Sequence, residues 1–426
     1  MSATPDSTVS DPAMGGATGA ETPTLRALKL RGLLVTLASV ALVVPMLWGA
    51  VQGLYLALQV QTIDPAGKLG DLALIVGIGA LGSIVAAPIA GALSDRTRTR
   101  VGGRIPWMLV GAAVTLVVAV LFGFATTIGE VLAYWILIQI STNFIMTPLS
   151  AHIPDRVPLL RRGTFSAVFG LGTLIGSVLG QAVGAAFASV IPVGYMTVAG
   201  ILVVVTVVFA LVNKRSNLDE PKQPISVKAV LQTFWVNPIA HPNFAWTFAA
   251  RFAFFLGYFV VQAYALYWLQ SYVGLGAGAV AAIPLVSVVG LVGMLISTPL
   301  GGLLLDRLGR TKPMIYVTSA VLAVGLLIPI FAHTFPAILV YSFVAGLGFG
   351  AYQSVDYVLV TQVLPSNAEA GKDLGIVNIS TSLPQTIGVA VAGGVVAFGG
   401  YAALFPVGAA LVAIGALLII PIRGVR

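Results

Sequence analysis

Gly91-Ala-Leu-Ser-Asp95-Arg96 returns 211 residues later as Gly302-Leu-Leu-Leu-Asp306-Arg307. Pro154 and Pro365 are separated by the same 211 residues. An offset of about half the chain marks an internal duplication. Each copy closes a long apolar run and opens a basic loop, so the reading of those runs decides the fold.

Of the 426 residues, 58% are hydrophobic and only 8% charged, and mean hydropathy is +1.00. Water cannot solvate a chain with so much apolar surface, whereas lipid can. Apolar runs of about 20 residues recur along the chain, long enough to cross a hydrocarbon core of about 30 Å as helices. Spanning β-strands need about 10 residues with alternating polarity, a pattern these runs lack. Twelve spans are predicted, at 33–60, 72–93, 107–126, 131–150, 166–188, 193–212, 244–272, 280–304, 314–332, 336–363, 374–398 and 402–422. The expected fold is an all-α polytopic membrane protein of twelve transmembrane helices in two pseudo-symmetric six-helix bundles.

Charge placement gives an expected orientation. Of the 22 basic residues, Lys68 alone falls in an outer loop and Arg251 alone within a span. The others lie in the tails or in loops on one side, which the positive-inside rule assigns to the cytoplasm. Both termini are therefore expected there, in a plasma (cell inner) membrane protein. This placement accounts for the net charge of +8 without a nucleic-acid partner. Residues 1–25 lack a basic start and an apolar core, so they read as a disordered cytoplasmic tail and not as a secretory signal. Residues 26–212 form the first six-helix bundle, 213–243 a cytoplasmic central loop, and 244–426 the second bundle. Even-numbered repeats enter the membrane in the same sense, which places a substrate path between them near the midplane.

The loop motif resembles that of the major facilitator superfamily, G-x-x-x-D-R-x-G-R/K. Gly302, Asp306, Arg307, Gly309, Arg310 and Lys312 fit its second copy. The first copy runs Ser94-Asp95-Arg96-Thr97-Arg98-Thr99-Arg100-Val101-Gly102-Gly103-Arg104-Ile105-Pro106-Trp107. It looks like the S-D-R-T-x-x-R-x-G-R-R-R-P form of glycoside–pentoside–hexuronide:cation symporters and the related sucrose:proton symporters. Gly103 and Ile105 depart from the basic run. The stretch from Gly375 through Asn378 and Ser380 to Pro384-Gln385 is similar to G-x-x-N-x-A-x-x-x-P-Q of the sucrose carriers. Ile175-Gly176-Ser177-Val178-Leu179-Gly180 is like their V-G-N-V-L-G. The resemblance implies secondary transport by rocking of two halves, with the motif around Gly91, Asp95, Arg96, Arg100 and Arg104 acting as a gate latch. A simple positive anchor is the competing reading of that loop.

The coupling carboxylates of both branches are missing. The sucrose carriers' acid in the fourth span maps to Gln139, and the glycoside branch's two acids in the second span map to Ser83 and Ala87. Symport and a sugar substrate therefore remain expectations of the resemblance.

The family architecture implies that spans 1, 4, 7 and 10 line the cavity. Candidate substrate ligands there are Trp48, Gln52 and Tyr55; Gln139 and Asn143; Tyr258 and Gln262; and Tyr352 and Gln353. Amides exchange hydrogen bonds with hydroxyls, and aromatic rings stack on the apolar faces of a sugar. Interhelical hydrogen bonding is the competing use of each residue. Trp48, Gln52 and Tyr55 are expected on one helical face, at i, i+4 and i+7.

Arg251 and Asp356 stand apart, because an ionised group in a bilayer needs a partner or water. Each lies about two turns from the inner end of its span, about 10 Å deep at 1.5 Å per residue. They are expected to pair and to serve as a coupling or gating pair. Asp356 is the one carboxylate well inside a predicted span, hence the candidate proton carrier.

The three histidines are scattered, cysteine is absent and no phosphate loop occurs, so no metal site, cofactor, enzyme activity or ATP drive is expected. The expected partners are a small hydrophilic solute with protons and the lipid bilayer, for a monomer. A proton-coupled drug or metabolite exporter, or a receptor with a transporter fold, are the alternatives.

Overall fold

The computed structural model describes residues 23–218, 242–363 and 370–422, and every regular element among them is helical. In the first half, α1 (Pro23–Ala50) continues through a π-helical turn, Val51–Tyr55, into α2 (Leu56–Ile63). Then follow α3 (Lys68–Arg96), α4 (Ile105–Gly123), α5 (Ile128–Arg156), α6 (Leu159–Ala186) and α7 (Ile191–Asn213). The second half contains α8 (Pro242–Gln262), α9 (Ala265–Ser271), α10 (Ala279–Leu308) and α11 (Thr311–Phe331). It closes with α12 (Phe335–Val363), α13 (Ala370–Gly399) and α14 (Leu404–Leu417). Among the described residues, eleven helices are long and apolar enough to cross a membrane, and the shorter apolar helix Tyr401–Leu417 stands at the place of the twelfth. Residues 1–22 of the expected tail and 219–241 of the expected central loop lie outside the described residues.

Local chemistry sets the helix ends. At the start of α5, Thr127 and Glu130 form a reciprocal capping box that satisfies orphan N–H groups. Gly309, at φ +60°, ends α10 in the left-handed conformation that glycine adopts without a side-chain penalty. Leu81, Val85, Val117, Val204 and Val324 expose apolar side chains along the outside of the bundle, the surface lipid would cover. Inside, α1 and α6 approach closely. A Cβ on Gly176 or Gly180 would fall 2.0 Å from the carbonyl oxygen of Leu42 or Met46. Small residues permit such backbone contact in membranes, where dispersion replaces the hydrophobic effect as the packing force.

Three features differ from the expected spans. The π turn in the first span shifts the helical register, so Trp48, Gln52 and Tyr55 do not share one face. The seventh span, expected as one helix over 244–272, breaks at Ala263–Tyr264, where Tyr264 leaves helical geometry (φ −118°, ψ 34°). The Trp268 indole takes up the Val261 carbonyl at 3.0 Å within that break. The last helix stops at Leu417 and continues in turns towards Pro421, and Lys312 donates to the Ile420 carbonyl at 3.4 Å and to that of Ile422.

The halves meet where α6 packs on α10 and α3 on α13. The basic loops lie at one end of the bundle, the basic end. The hydrogen bonds and ring contacts seen between described residues of the two halves lie towards the opposite end. There Tyr264 donates to the Leu69 carbonyl at 2.7 Å and Tyr267 to that of Ala57 at 2.8 Å. The Lys68 ammonium sits 4.7 Å from the Tyr267 ring centre. Ser287 on α10 bonds Gln181 on α6.

Candidate transport site

In the second half, three helices converge on one guanidinium. Arg251 on α8 forms an ion pair with Asp356 on α12, both nearly buried with side chains 9% and 4% exposed. Its Nε donates to Ser380 Oγ at 2.8 Å and its Nη2 to Thr381 Oγ1 at 3.0 Å, both on α13. The Phe255 ring centre lies 5.6 Å from the guanidinium carbon. A buried arginine needs its fork of donors satisfied, and this site supplies one charged and two hydroxyl acceptors plus a π face. Ser380 and Thr381 were not singled out from sequence. The available signal was Ser380 itself, standing where the sucrose-carrier pattern has alanine. The side chain of Asn378, quoted in the same stretch, lies outside the described residues.

In the first half, Asn143 on α5 donates to Ser83 Oγ on α3 at 2.5 Å and to the Gln139 carbonyl at 2.8 Å. Ser83 and Gln139 are two of the positions at which the resembled families carry coupling acids. Of the two, Ser83 meets the Asn143 amide through its side chain and Gln139 through its backbone carbonyl alone. Nearby on the same helix, Thr142 Oγ1 accepts from the Trp48 indole at 3.2 Å, joining α1 to α5. Gln52 is half-buried.

The remaining candidate ligands divide. Gln262 and Gln353 are exposed, and Tyr258 is half-buried. Gln262 donates to the Tyr258 hydroxyl at 3.0 Å and accepts from Tyr341 at 3.5 Å. Tyr55 and Tyr352, expected beside them, are instead fully buried in the cores of their own halves. Tyr55 packs on Tyr195 with ring centres 5.0 Å apart. Tyr352 stacks on Phe254 at 3.4 Å and 7°. The register shift explains Tyr55. Tyr352 lies one turn before Asp356, so both side chains turn into the same packed face.

The motif loops sit at the basic end. Arg104 Nη2 reaches Asp95 at 3.2 Å and Asp155, at the end of α5, at 2.8 Å, so these ion pairs lie within the first half. A Cβ on Gly91 would meet the Thr147 side chain at 3.6 Å, ordinary contact between α3 and α5. Arg96 and Arg100 are exposed. In the second copy Gly302 has open space beside it, and Asp306, Arg307, Gly309 and Arg310 are exposed, with no ion pair among the described residues.

The family model described as Major Facilitator Superfamily matches residues 32–297 and 279–425. The chain belongs to the Major Facilitator Superfamily. It is similar to the sucrose transport protein SUC3 of Arabidopsis thaliana, 27% identical over 130 residues, which is 25% of this chain and 22% of that one. The match thus spans about a fifth of that relative's length. Solved structures of the same fold include a D-xylose-proton symporter (TM-score 0.67, 14% identity, 92% of this chain and 98% of that one). The nucleoside transporter NupG, as its D323A mutant, superposes with TM-score 0.72 at 13% identity over 92% of this chain and 100% of that one. A bacterial homologue of the human lysosomal transporter Spinster, solved inward-facing and unoccupied, gives TM-score 0.65 at 13% identity over 94% and 96%. As in that superfamily, the chain is a polytopic transporter, and its loop motifs resemble the glycoside and sucrose branch.

Proposed function

We propose that the protein is a secondary transporter of a sugar or glycoside, working by alternating access, with Arg251 and Asp356 as its coupling or gating pair. The observation that carries this reading is the buried Arg251–Asp356 pair at one depth in α8 and α12, held by hydroxyls of α13. Charge in that position is costly unless it is used or compensated. Protonation of Asp356 would free the guanidinium to swing, and a pair that breaks and reforms is a two-state element. The amides Gln52, Gln139, Asn143, Gln262 and Gln353, with Trp48 and Tyr258, supply the donors, acceptors and rings a hydroxylated solute needs.

The positive-inside rule supports a basic end, with both termini, on the cytoplasmic side, and we take the membrane to be the cell inner membrane. On that assignment, contacts gathered at the opposite end describe a carrier closed outward, with residues 26–212 and 244–426 as the rocking halves joined by the loop 213–243. The protein works as a monomer with solute, protons and lipid as its partners. Likeness to a sucrose transport protein and a xylose-proton symporter supports the sugar class.

Vesicles containing the purified protein, a panel of labelled sugars and an imposed pH gradient test this reading. Acid-driven accumulation of one sugar is expected. Accumulation of lipophilic cations instead, with no sugar flux, would replace it with the exporter.

A further inference from the structure

The basic end of the first half carries a preformed cavity of about 580 Å³ that the transport reading does not use. Its wall brings together Arg98, Arg104, Arg156 and Arg215 against two carboxylates, Asp95 and Asp155. Arg98 and Arg156 are anchored in the wall, Arg98 Nη1 donating to the Asp95 and Thr97 carbonyls at 2.6 and 3.1 Å and Arg156 Nη1 to that of Asn213 at 2.6 Å. Arg104 serves both carboxylates through Nη2, while its Nη1 is buried without a hydrogen-bond partner. Such a group calls for an acceptor, since an unsatisfied buried donor costs about 1–3 kcal/mol.

The cavity is held open by backbone. Arg215 N–H donates to the Val101 carbonyl at 3.2 Å and Asn217 N–H to that of Thr99 at 3.3 Å. The Asn217 side chain closes the clip, donating to the Thr97 carbonyl at 2.9 Å and accepting from Thr99 N–H at 3.0 Å. Gly102 adopts φ +109°, and a Cβ on Gly103 would fall 2.4 Å from the Thr97 oxygen. Gly103, one of the two residues that depart from the resembled basic run, is therefore a requirement of this wall. The corresponding loop of the second half offers only Arg310 and Lys312 as charges around its cavity.

We infer that this cavity binds a phosphate group, as a phosphate ester or as the headgroup of an anionic lipid. A planar guanidinium fork matches two oxygens of a tetrahedral oxyanion, which a lysine point charge does not, and here the unpartnered Arg104 Nη1 and the exposed Arg215 offer such donors. The location at the end of the bundle, on the side of the basic loops, admits either source. A bound phosphate would tie the loop after α3 to the segment after α7.

The test uses the purified full-length protein. Inorganic phosphate and pyrophosphate are titrated by calorimetry in neutral detergent at constant ionic strength, with chloride as control. Saturable binding is expected, weakened about tenfold or more in Arg98→Gln/Arg215→Gln and less in the corresponding lysine pair. In a second arm, melting is compared in phosphatidylcholine nanodiscs with and without phosphatidylglycerol. Stabilisation by phosphatidylglycerol that the glutamine pair loses, without binding of free phosphate, assigns the site to lipid. Should the double variant elute as aggregate, the exposed Arg215→Gln alone takes its place. No difference between wild type and variant in either arm overturns the inference.

Discussion

Asn143 donates its side-chain amide to the hydroxyl of Ser83 at 2.5 Å, tying α5 to α3. The same amide reaches the Gln139 carbonyl one turn back. A neutral amide and a neutral hydroxyl thus meet at Ser83, one of the positions where the resembled carriers place coupling carboxylates. A double-mutant cycle of Ser83→Ala and Asn143→Ala should show a coupling of about 1 kcal/mol by reversible unfolding. Additive losses would mean that the contact contributes nothing of its own.

Asp356→Asn should remove acid-driven accumulation while leaving exchange of labelled for unlabelled solute across the membrane. Transport assays in vesicles read both. Retention of full accumulation would remove Asp356 from the coupling step.

Arg251→Gln and Asp356→Asn should each lower the melting temperature more than the two together. Each single change leaves an uncompensated partner in the interior, a loss of about 3–5 kcal/mol when a buried pair is broken from one side. The double variant leaves two neutral groups with Ser380 and Thr381 still in reach. Scanning fluorimetry on the three variants checks the order.

Tyr264→Phe with Tyr267→Phe removes both hydroxyls that bond backbone carbonyls of the other half. The end opposite the basic loops should then open more often. The sequence contains no cysteine, so spin labels on single introduced cysteines report without background. A longer mean distance between labels at that end is expected, and an unchanged distribution would assign closure to α6 and α10 instead.

Gly180→Ala should destabilise the first half by about 1–3 kcal/mol, because the new methyl meets the Met46 carbonyl and the backbone of Ala50. The readout is thermal stability, with uptake lowered only as far as folded protein is lost.

Hydropathy and spacing carried most of this fold. Apolar runs, the 211-residue repeat and the basic loops are properties of composition and order, which need no knowledge of neighbours. The π turn at Val51–Tyr55 and the break at Tyr264 were not legible. Both depend on contacts made by other helices, such as the Leu69 carbonyl that Tyr264 reaches. The same limit separates Gln353 from Tyr352. Adjacent residues on a helix point about 100° apart, and only the packed neighbours decide which one meets the core. Ser380 and Thr381 were not foreseen as partners of Arg251 because hydroxyls in apolar helices commonly bond their own backbone. A buried arginine across the bundle recruits them here.

The Arg251–Asp356 pair also has a consequence for membrane voltage. While ionised, the pair carries no net charge and, on the proposed rocking of the halves, would itself move nothing across the electric field. Protonated, it leaves one positive charge on Arg251, and a full crossing of that charge would be worth about 2.3 kcal/mol per 100 mV. The membrane potential would then act on one protonation state of the carrier and leave the other untouched.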